Sequence, residues 1–173
     1  MGIIRDLGYE VPSPNKAQRA VWKVSASRPG SWVFARSLHR VDKALLAMSH
    51  GRVTSAGLLA GIPVLTLTTT GARTNLPRTV PLLGVPYGDD IAIIGTRFGQ
   101  PGTPAWYYNL RADPRAEVTF RETRVRAAVR EASEDERPVI WAAARTIYAG
   151  YEAYGRRITG RKIRIMVLST AVD

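Results

Sequence analysis

The sequence has no cysteine and only two histidines among its 173 residues. That excludes a disulfide framework, thiolate metal sites, iron–sulfur clusters, cysteine nucleophiles and any centre built on several histidines, and no metal site is expected. No stretch approaches the roughly 20 apolar residues that span a bilayer, and Met1 to Glu10 carry no apolar signal core, so a soluble cytoplasmic protein is expected. Lysine is scarce: apart from Lys16, Lys23, Lys43 and Lys162, the 25 basic residues are arginines. Internal repeats, linkers and low-complexity tracts are absent as well.

What the chain does have is positive charge. A formal net charge of +11 calls for an anionic partner, and nucleic acid, anionic lipid or a phosphorylated ligand would each qualify. Arginine favours bidentate contacts with phosphate and carboxylate, although a GC-rich coding bias enriches it without any ligand.

Hydrophobic periodicity divides the chain into an N-terminal helical extension, residues 1–61, and a strand-rich domain, residues 62–173. Helices are expected over residues 15–27 and 31–49, broken at Pro29-Gly30. Phe34, Leu38, Val41, Leu45 and Met48 form one apolar stripe on the second, suited to a core or to a membrane surface. From Ile62 the period becomes that of strands: 64–68, a turn at Gly71, 78–85, a turn at 86–90, and 91–95. Val125, Ala127 and Val129 then alternate with Arg124, Arg126 and Arg130 in a hairpin with one wet face, and Ile163, Ile165 and Val167 mark the last strand. Thr103 is expected to cap a helix with Pro104 at its first position, ending at Asp113-Pro114. Asp135 is expected to cap another, with Ile140, Ala143, Ala144 and Ile147 on one face. Antiparallel strands with helices at the ends imply an α+β fold.

Three stretches could carry chemistry. Thr68 to Arg78 places hydroxyls, Gly71 and two arginines, Arg73 and Arg78, around one hairpin connection, the materials for gripping a phosphate; they also suit a solvated turn. Gly95 to Trp106 is a glycine-rich loop opening a helix, where backbone N–H groups attract anions and a flat ring can approach the main chain. Its glycines lack the dinucleotide spacing and no βαβ unit surrounds them. Tyr148, Tyr151 and Tyr154, at spacing three, could wall a flat substrate or simply fill a core.

In this order the three stretches resemble the deazaflavin (coenzyme F420)-dependent nitroreductase and quinone reductase family. The resemblance rests on Thr69-Thr-Gly-Ala-Arg-Thr-Asn-Leu-Pro-Arg-Thr-Val-Pro-Leu82, Gly95-Thr-Arg-Phe-Gly99, Pro104-Ala-Trp-Tyr-Tyr-Asn-Leu110 and the late tyrosines. The chain departs from the family pattern at Ala72, Asn75 and Phe98. The resemblance implies a split β-barrel of the FMN-binding type, built of antiparallel strands with peripheral helices. It implies that Arg73, Thr74 and Arg78 meet the coenzyme's phosphate, with Val80 and Pro81 following along the strand. The deazaflavin ring would lie against Thr96, Arg97 and Gly99, close to Trp106 and Asn109. A hydride acceptor such as a quinone, nitroaromatic or electron-poor alkene would stack against Trp106, Tyr148, Tyr151 and Tyr154, with a hydroxyl of Tyr151 or Thr96 as the catalytic donor. Alternative readings are an FMN-dependent split-barrel oxidoreductase and a basic nucleic-acid-binding module, the latter without any recognised nucleic-acid motif. A monomer or a homodimer, with peripheral membrane contact through the N-terminal helices, fits the same sequence.

Overall fold

Six strands account for most of the domain in the computed structural model, which describes residues 2–12 and 63–171. They are β1 (Val64–Thr70), β2 (Pro77–Tyr87), β3 (Asp90–Ile94), β4 (Arg115–Phe120), β5 (Thr123–Glu131) and β6 (Ile165–Thr170). Every neighbouring pair is antiparallel, and the order β1-β2-β3-β6-β5-β4 closes into a barrel. The expected helices over residues 15–27 and 31–49 lie outside the described residues. Among the described residues, no helix is long and apolar enough to cross a membrane.

Alternation decides which side chains fill the barrel. Leu65 and Leu67 on β1, Ile91 and Ile93 on β3, Val118 on β4 and Leu168 on β6 are all fully buried in one cluster. Each such side chain contributes about 1.5–3 kcal/mol of transfer free energy. On β3 the intervening residues Ala92 and Ile94 are buried too, because they face a second cluster on the outside of β2, β3 and β6. A strand covered on both faces reads as a continuous apolar run, which is why Ile91-Ala-Ile-Ile94 shows no alternation.

Helices supply that outer cover. With α1 and α2 defined as Ile3–Leu7 and Ala105–Ala112, α3 as Glu136–Ile147 and α4 as Gly150–Arg157, the last two pack on the outer cluster through Ile140, Ala144, Tyr151 and Tyr154. Helix α2 presses Trp106, Tyr107 and Leu110 into the barrel cluster. Two caps differ from expectation. Helix α2 begins one residue late, at Ala105, with Pro104 in the extended cap position and no side-chain cap bond from Thr103. At α3 the reciprocal cap is made by Ser133 and Glu136, not by Asp135: Ser133 N–H donates to Glu136 Oε2 at 2.8 Å and Glu136 N–H to Ser133 Oγ at 3.3 Å.

Helix α1 was not foreseen. Ile3 and Leu7, one helical turn apart, are buried in the barrel cluster, and Gly8 stops the helix at φ 59°. Ile4 N–H donates to Asp89 C=O at 3.2 Å. The Tyr9 hydroxyl lies 2.7 Å from Pro63 C=O and 2.8 Å from Gly84 C=O, tying the segment to the starts of β1 and the middle of β2. Residues 3–9 thus pack on the barrel, within the stretch expected to form a helical extension packed on or near it.

Candidate functional site

The β1–β2 connection folds around Gly71, whose carbonyl accepts the N–H groups of Thr74 at 3.1 Å and Asn75 at 2.8 Å, while its own N–H donates to Leu76 C=O at 2.9 Å. A Cβ on Gly71 would lie 2.7 Å from Thr74 Oγ1 and 3.1 Å from Leu76 C=O, so a larger residue there would have to displace the Thr74 hydroxyl. Asn75 sits at φ 53°, a conformation that asparagine tolerates better than most residues with a Cβ. Thr74 Oγ1 accepts a bond from Arg78 Nη2 at 3.3 Å and so steadies that guanidinium.

Helix α2 holds the bend from the side. Asn109 donates from Nδ2 to Thr69 Oγ1 at 3.0 Å, and its Oδ1 accepts the Ala72 N–H at 3.1 Å. Thr69 is buried, and its hydroxyl donates on to Arg78 C=O at 3.3 Å. Arg73 and Arg78 are both exposed, and neither pairs with a carboxylate among the described residues. Elsewhere arginines do pair: Arg115 with Asp113 at 2.8 Å, Arg124 with Glu117 at 3.3 Å, Arg130 with Glu136 at 2.6 Å, and Arg164 with Glu131 at 3.0 Å. Part of the net charge is therefore neutralised locally, while the charge at the bend stays available to an anion.

The glycine-rich loop starts where β3 ends. Gly95 is wedged against Arg164 C=O and the Pro104 ring, each 3.2 Å from where a Cβ would be. Thr96 is buried, and Arg97, Phe98 and Gly99 then follow at φ 47°, 57° and 80°. Arg97 Nη1 donates to Pro101 C=O at 2.8 Å. Arg161, from the segment before β6, donates to Gly95 C=O at 3.2 Å, Gln100 C=O at 3.3 Å and Thr96 C=O at 3.4 Å. Its guanidinium is destabilised first by burial and then by the Arg97 cation.

Helix α4 packs behind this loop. Gly99 approaches Arg157 and Tyr154, and the Phe98 and Tyr154 rings meet edge to face with centroids 6.1 Å apart. Tyr148, Tyr151 and Tyr154 contact one another pairwise at 6.0–6.5 Å, and the Tyr148 and Tyr154 hydroxyls lie 3.1 Å apart. Burial, and next the Tyr148 phenol, push the Tyr151 and Tyr154 hydroxyls well above the ordinary phenol value, so both stay protonated.

The expected coenzyme residues thus fall in two places linked by α2. Arg73, Thr74 and Arg78 share the bend, with Val80 and Pro81 half-buried next along β2; Thr96, Arg97 and Gly99 share the loop. Two groups of expected site residues are buried. Trp106 lies in the barrel cluster. The three tyrosines, each no more than 6% exposed, are packed on one another, and Tyr151 also meets Trp141, behind the loop. Asn109 uses one donor and one acceptor on the bend. Sequence reading missed Arg161, which stands 66 residues from Gly95 and has no periodicity or motif to mark it.

The class of protein these features define is the split β-barrel with a basic hairpin and a glycine-rich loop set on either side of one helix. Within that class the chain belongs to the F420H(2)-dependent quinone reductase family, whose model matches residues 38–170. An F420H(2)-dependent quinone reductase of Mycobacterium tuberculosis is 37% identical over 81 residues, which cover 47% of this chain and 54% of that protein. The chain therefore spans about half the length of the curated relatives that it first matches. Among solved structures, an F420-H2 dependent reductase, FDR-A, is 31% identical with a TM-score of 0.56, covering 61% of this chain and 93% of that one. Another, described as a domain-swapped dimer, is 27% identical with a TM-score of 0.57, covering 81% and 98%.

Proposed function

We propose that the protein is an oxidoreductase that carries a hydride from reduced coenzyme F420 to a small organic acceptor, a quinone, nitroaromatic or electron-poor alkene. The observation that supports this most directly is the bend itself: two arginines without carboxylate partners among the described residues, a hydroxyl bonded to one of them, and a glycine whose Cβ would crowd that hydroxyl. That donor set suits a phosphate group, since charge-assisted bonds from a guanidinium are short and bidentate. When bound, the deazaflavin supplies the hydride chemistry itself.

The chain's own residues then bind, orient and shield. Arg73, Arg78 and Thr74 hold the phosphate, and Val80 and Pro81 give an apolar edge beside it. The backbone of Thr96, Arg97 and Gly99 supports the ring, with Asn109 keeping bend and helix in register. Holding donor and acceptor in one geometry is worth about 7–11 kcal/mol of a bimolecular barrier. A hydroxyl of Tyr151 or Thr96, both buried in the free protein, donates a hydrogen bond to the acceptor oxygen. Tyr154 and Phe98 exclude water from behind the loop.

Titration with reduced F420 tests the reading through the coenzyme's fluorescence. The wild-type protein should bind, and R73A/R78A should lose at least about 100-fold in affinity, from two bonds of about 1.5–3 kcal/mol each. Equal binding by both overturns the phosphate assignment. Retention of a yellow FMN on purification would favour the flavin instead, whose phosphate the same bend could hold. We place the enzyme in the cytoplasm, with membrane contact through the N-terminal segment as its route to a lipophilic quinone; liposome flotation tests that placement.

A further inference from the structure

The loop between β3 and α2 holds a conformation its own residues do not favour. Arg97 and Phe98 are left-handed in succession, and a side chain with a Cβ resists that geometry where glycine accepts it. Two local bonds close part of the loop, from Gly99 N–H to Thr96 C=O at 2.9 Å and from Gln100 N–H to Arg97 C=O at 3.0 Å. Three carbonyls, those of Gly95, Thr96 and Gln100, converge instead on the one guanidinium of Arg161.

That convergence has a direction. In a trans peptide the N–H points opposite to the C=O of the same unit. Because Thr96 C=O faces Arg161, the Arg97 N–H faces away from it. Neither that N–H nor that of Phe98 has an acceptor among the described residues. Two adjacent amides are left as donors, that of Arg97 on the side of the loop away from Arg161 and that of Phe98 opposite the Arg97 carbonyl that Gln100 engages, in a left-handed turn of the kind that receives electron-rich atoms.

Arg161 is also an expensive choice for a residue with only a packing role. Its Nε is buried with no acceptor, its charge lies near that of Arg97, and no carboxylate among the described residues compensates it. A lysine could not serve, since an ammonium is a point charge and cannot span three carbonyls as a planar fork does.

We infer that Arg161 is a positioning residue: it fixes the Gly95–Gln100 loop so that the Arg97 and Phe98 amides are presented to the electron-rich edge of the bound ring. The inference rests on the F420 reading for the identity of the ring, but the loop-holding role can be read without any coenzyme.

The test uses the full chain as R161A and R161K, with R145A as a charge-matched control. Hydrogen–deuterium exchange of peptides spanning residues 94–102 should accelerate at least tenfold in both Arg161 variants and not in R145A, while peptides from β1 and β4 keep their protection. F420 affinity should fall at least tenfold in R161A and R161K, and millimolar methylguanidinium should restore it in R161A. Unchanged loop exchange would overturn the inference outright. Faster exchange with undiminished F420 affinity would overturn the ring-positioning role. Failure of the wild-type protein to bind F420 would sink the coenzyme reading and the ring role with it, and exchange would then decide the loop-holding role alone. Should R161A fail to fold, R161K carries both readouts.

Discussion

Asn109 and Ala72 are joined by one hydrogen bond, in which the Ala72 N–H donates to Asn109 Oδ1 at 3.1 Å, and it fastens the basic bend to helix α2. The same side chain reaches Thr69 with its Nδ2. N109A removes both bonds at once and should cost about 1–2 kcal/mol of stability, from net values near 1 kcal/mol per bond. N109D keeps the acceptor for Ala72 and loses the donor to Thr69, so its thermal midpoint should fall between those of N109A and wild type. F420 titration of the two variants should follow the same order.

The Tyr9 hydroxyl ties the segment after α1 to Pro63 and Gly84. Y9F leaves those carbonyls without their donor while preserving the ring's packing on Phe120 at 4.7 Å. Urea denaturation should show a loss of about 1–3 kcal/mol, the cost of an unsatisfied buried group. An unchanged midpoint would mean that water replaces the hydroxyl at no cost.

A Cβ on Gly150 would lie 2.2 Å from Tyr148 Cε1 and 2.3 Å from its Cζ. G150A must therefore push the Tyr148 ring away from its partners, with an expected destabilisation of about 1–3 kcal/mol from overpacking. Near-ultraviolet circular dichroism should register the loss of the ordered tyrosine cluster. A spectrum like that of wild type would show the ring was never held there.

Acid should weaken the α3 cap in a defined window. Arg130, and next the Ser133 N–H, hold the Glu136 carboxyl down from 4.5 to about 2. A depressed carboxylate contributes its stabilisation in full above the unfolded value and loses it as pH falls through the folded one. The stability difference between wild type and E136Q should accordingly be greatest at neutral pH, on the order of 1 kcal/mol for a partly exposed pair. It should shrink between pH 4.5 and about 2. A difference that stays constant across that range would show that the charge is not the source.

The strands and the basic bend were legible because their signals are local. Gly71, Arg73, Thr74 and Arg78 lie within eight residues, and Val125 to Val129 alternate with arginines on a face that is exposed. Asn75 at φ 53° shows the same locality, a residue type fitted to its own backbone. What was not legible depends on groups that meet only in three dimensions. Nothing in the sequence near Arg161 says that three carbonyls of a distant loop will converge on it. The tyrosine spacing is equally good for a wall and for a core, and only the fold shows the three rings buried behind Phe98. Trp106 is a like case, since an aromatic in a helix beside a glycine loop can turn either way, and here it turns into the barrel cluster. Helix α1 had a visible signal in Ile3, Leu7 and Gly8, but five residues form a helix only where tertiary contacts hold them.

Closure of the sheet constrains how this chain can associate. Each strand has a neighbour on either side, but the pairing is staggered: residues 77–83 of β2 bond to β1 and only residues 84–87 to β3, so the first half of β2 has no strand beside it on the β3 side. Strand addition by another polypeptide is thereby confined to such staggered stretches, and elsewhere a dimer of the intact barrel would have to meet through side chains or exchange a whole segment.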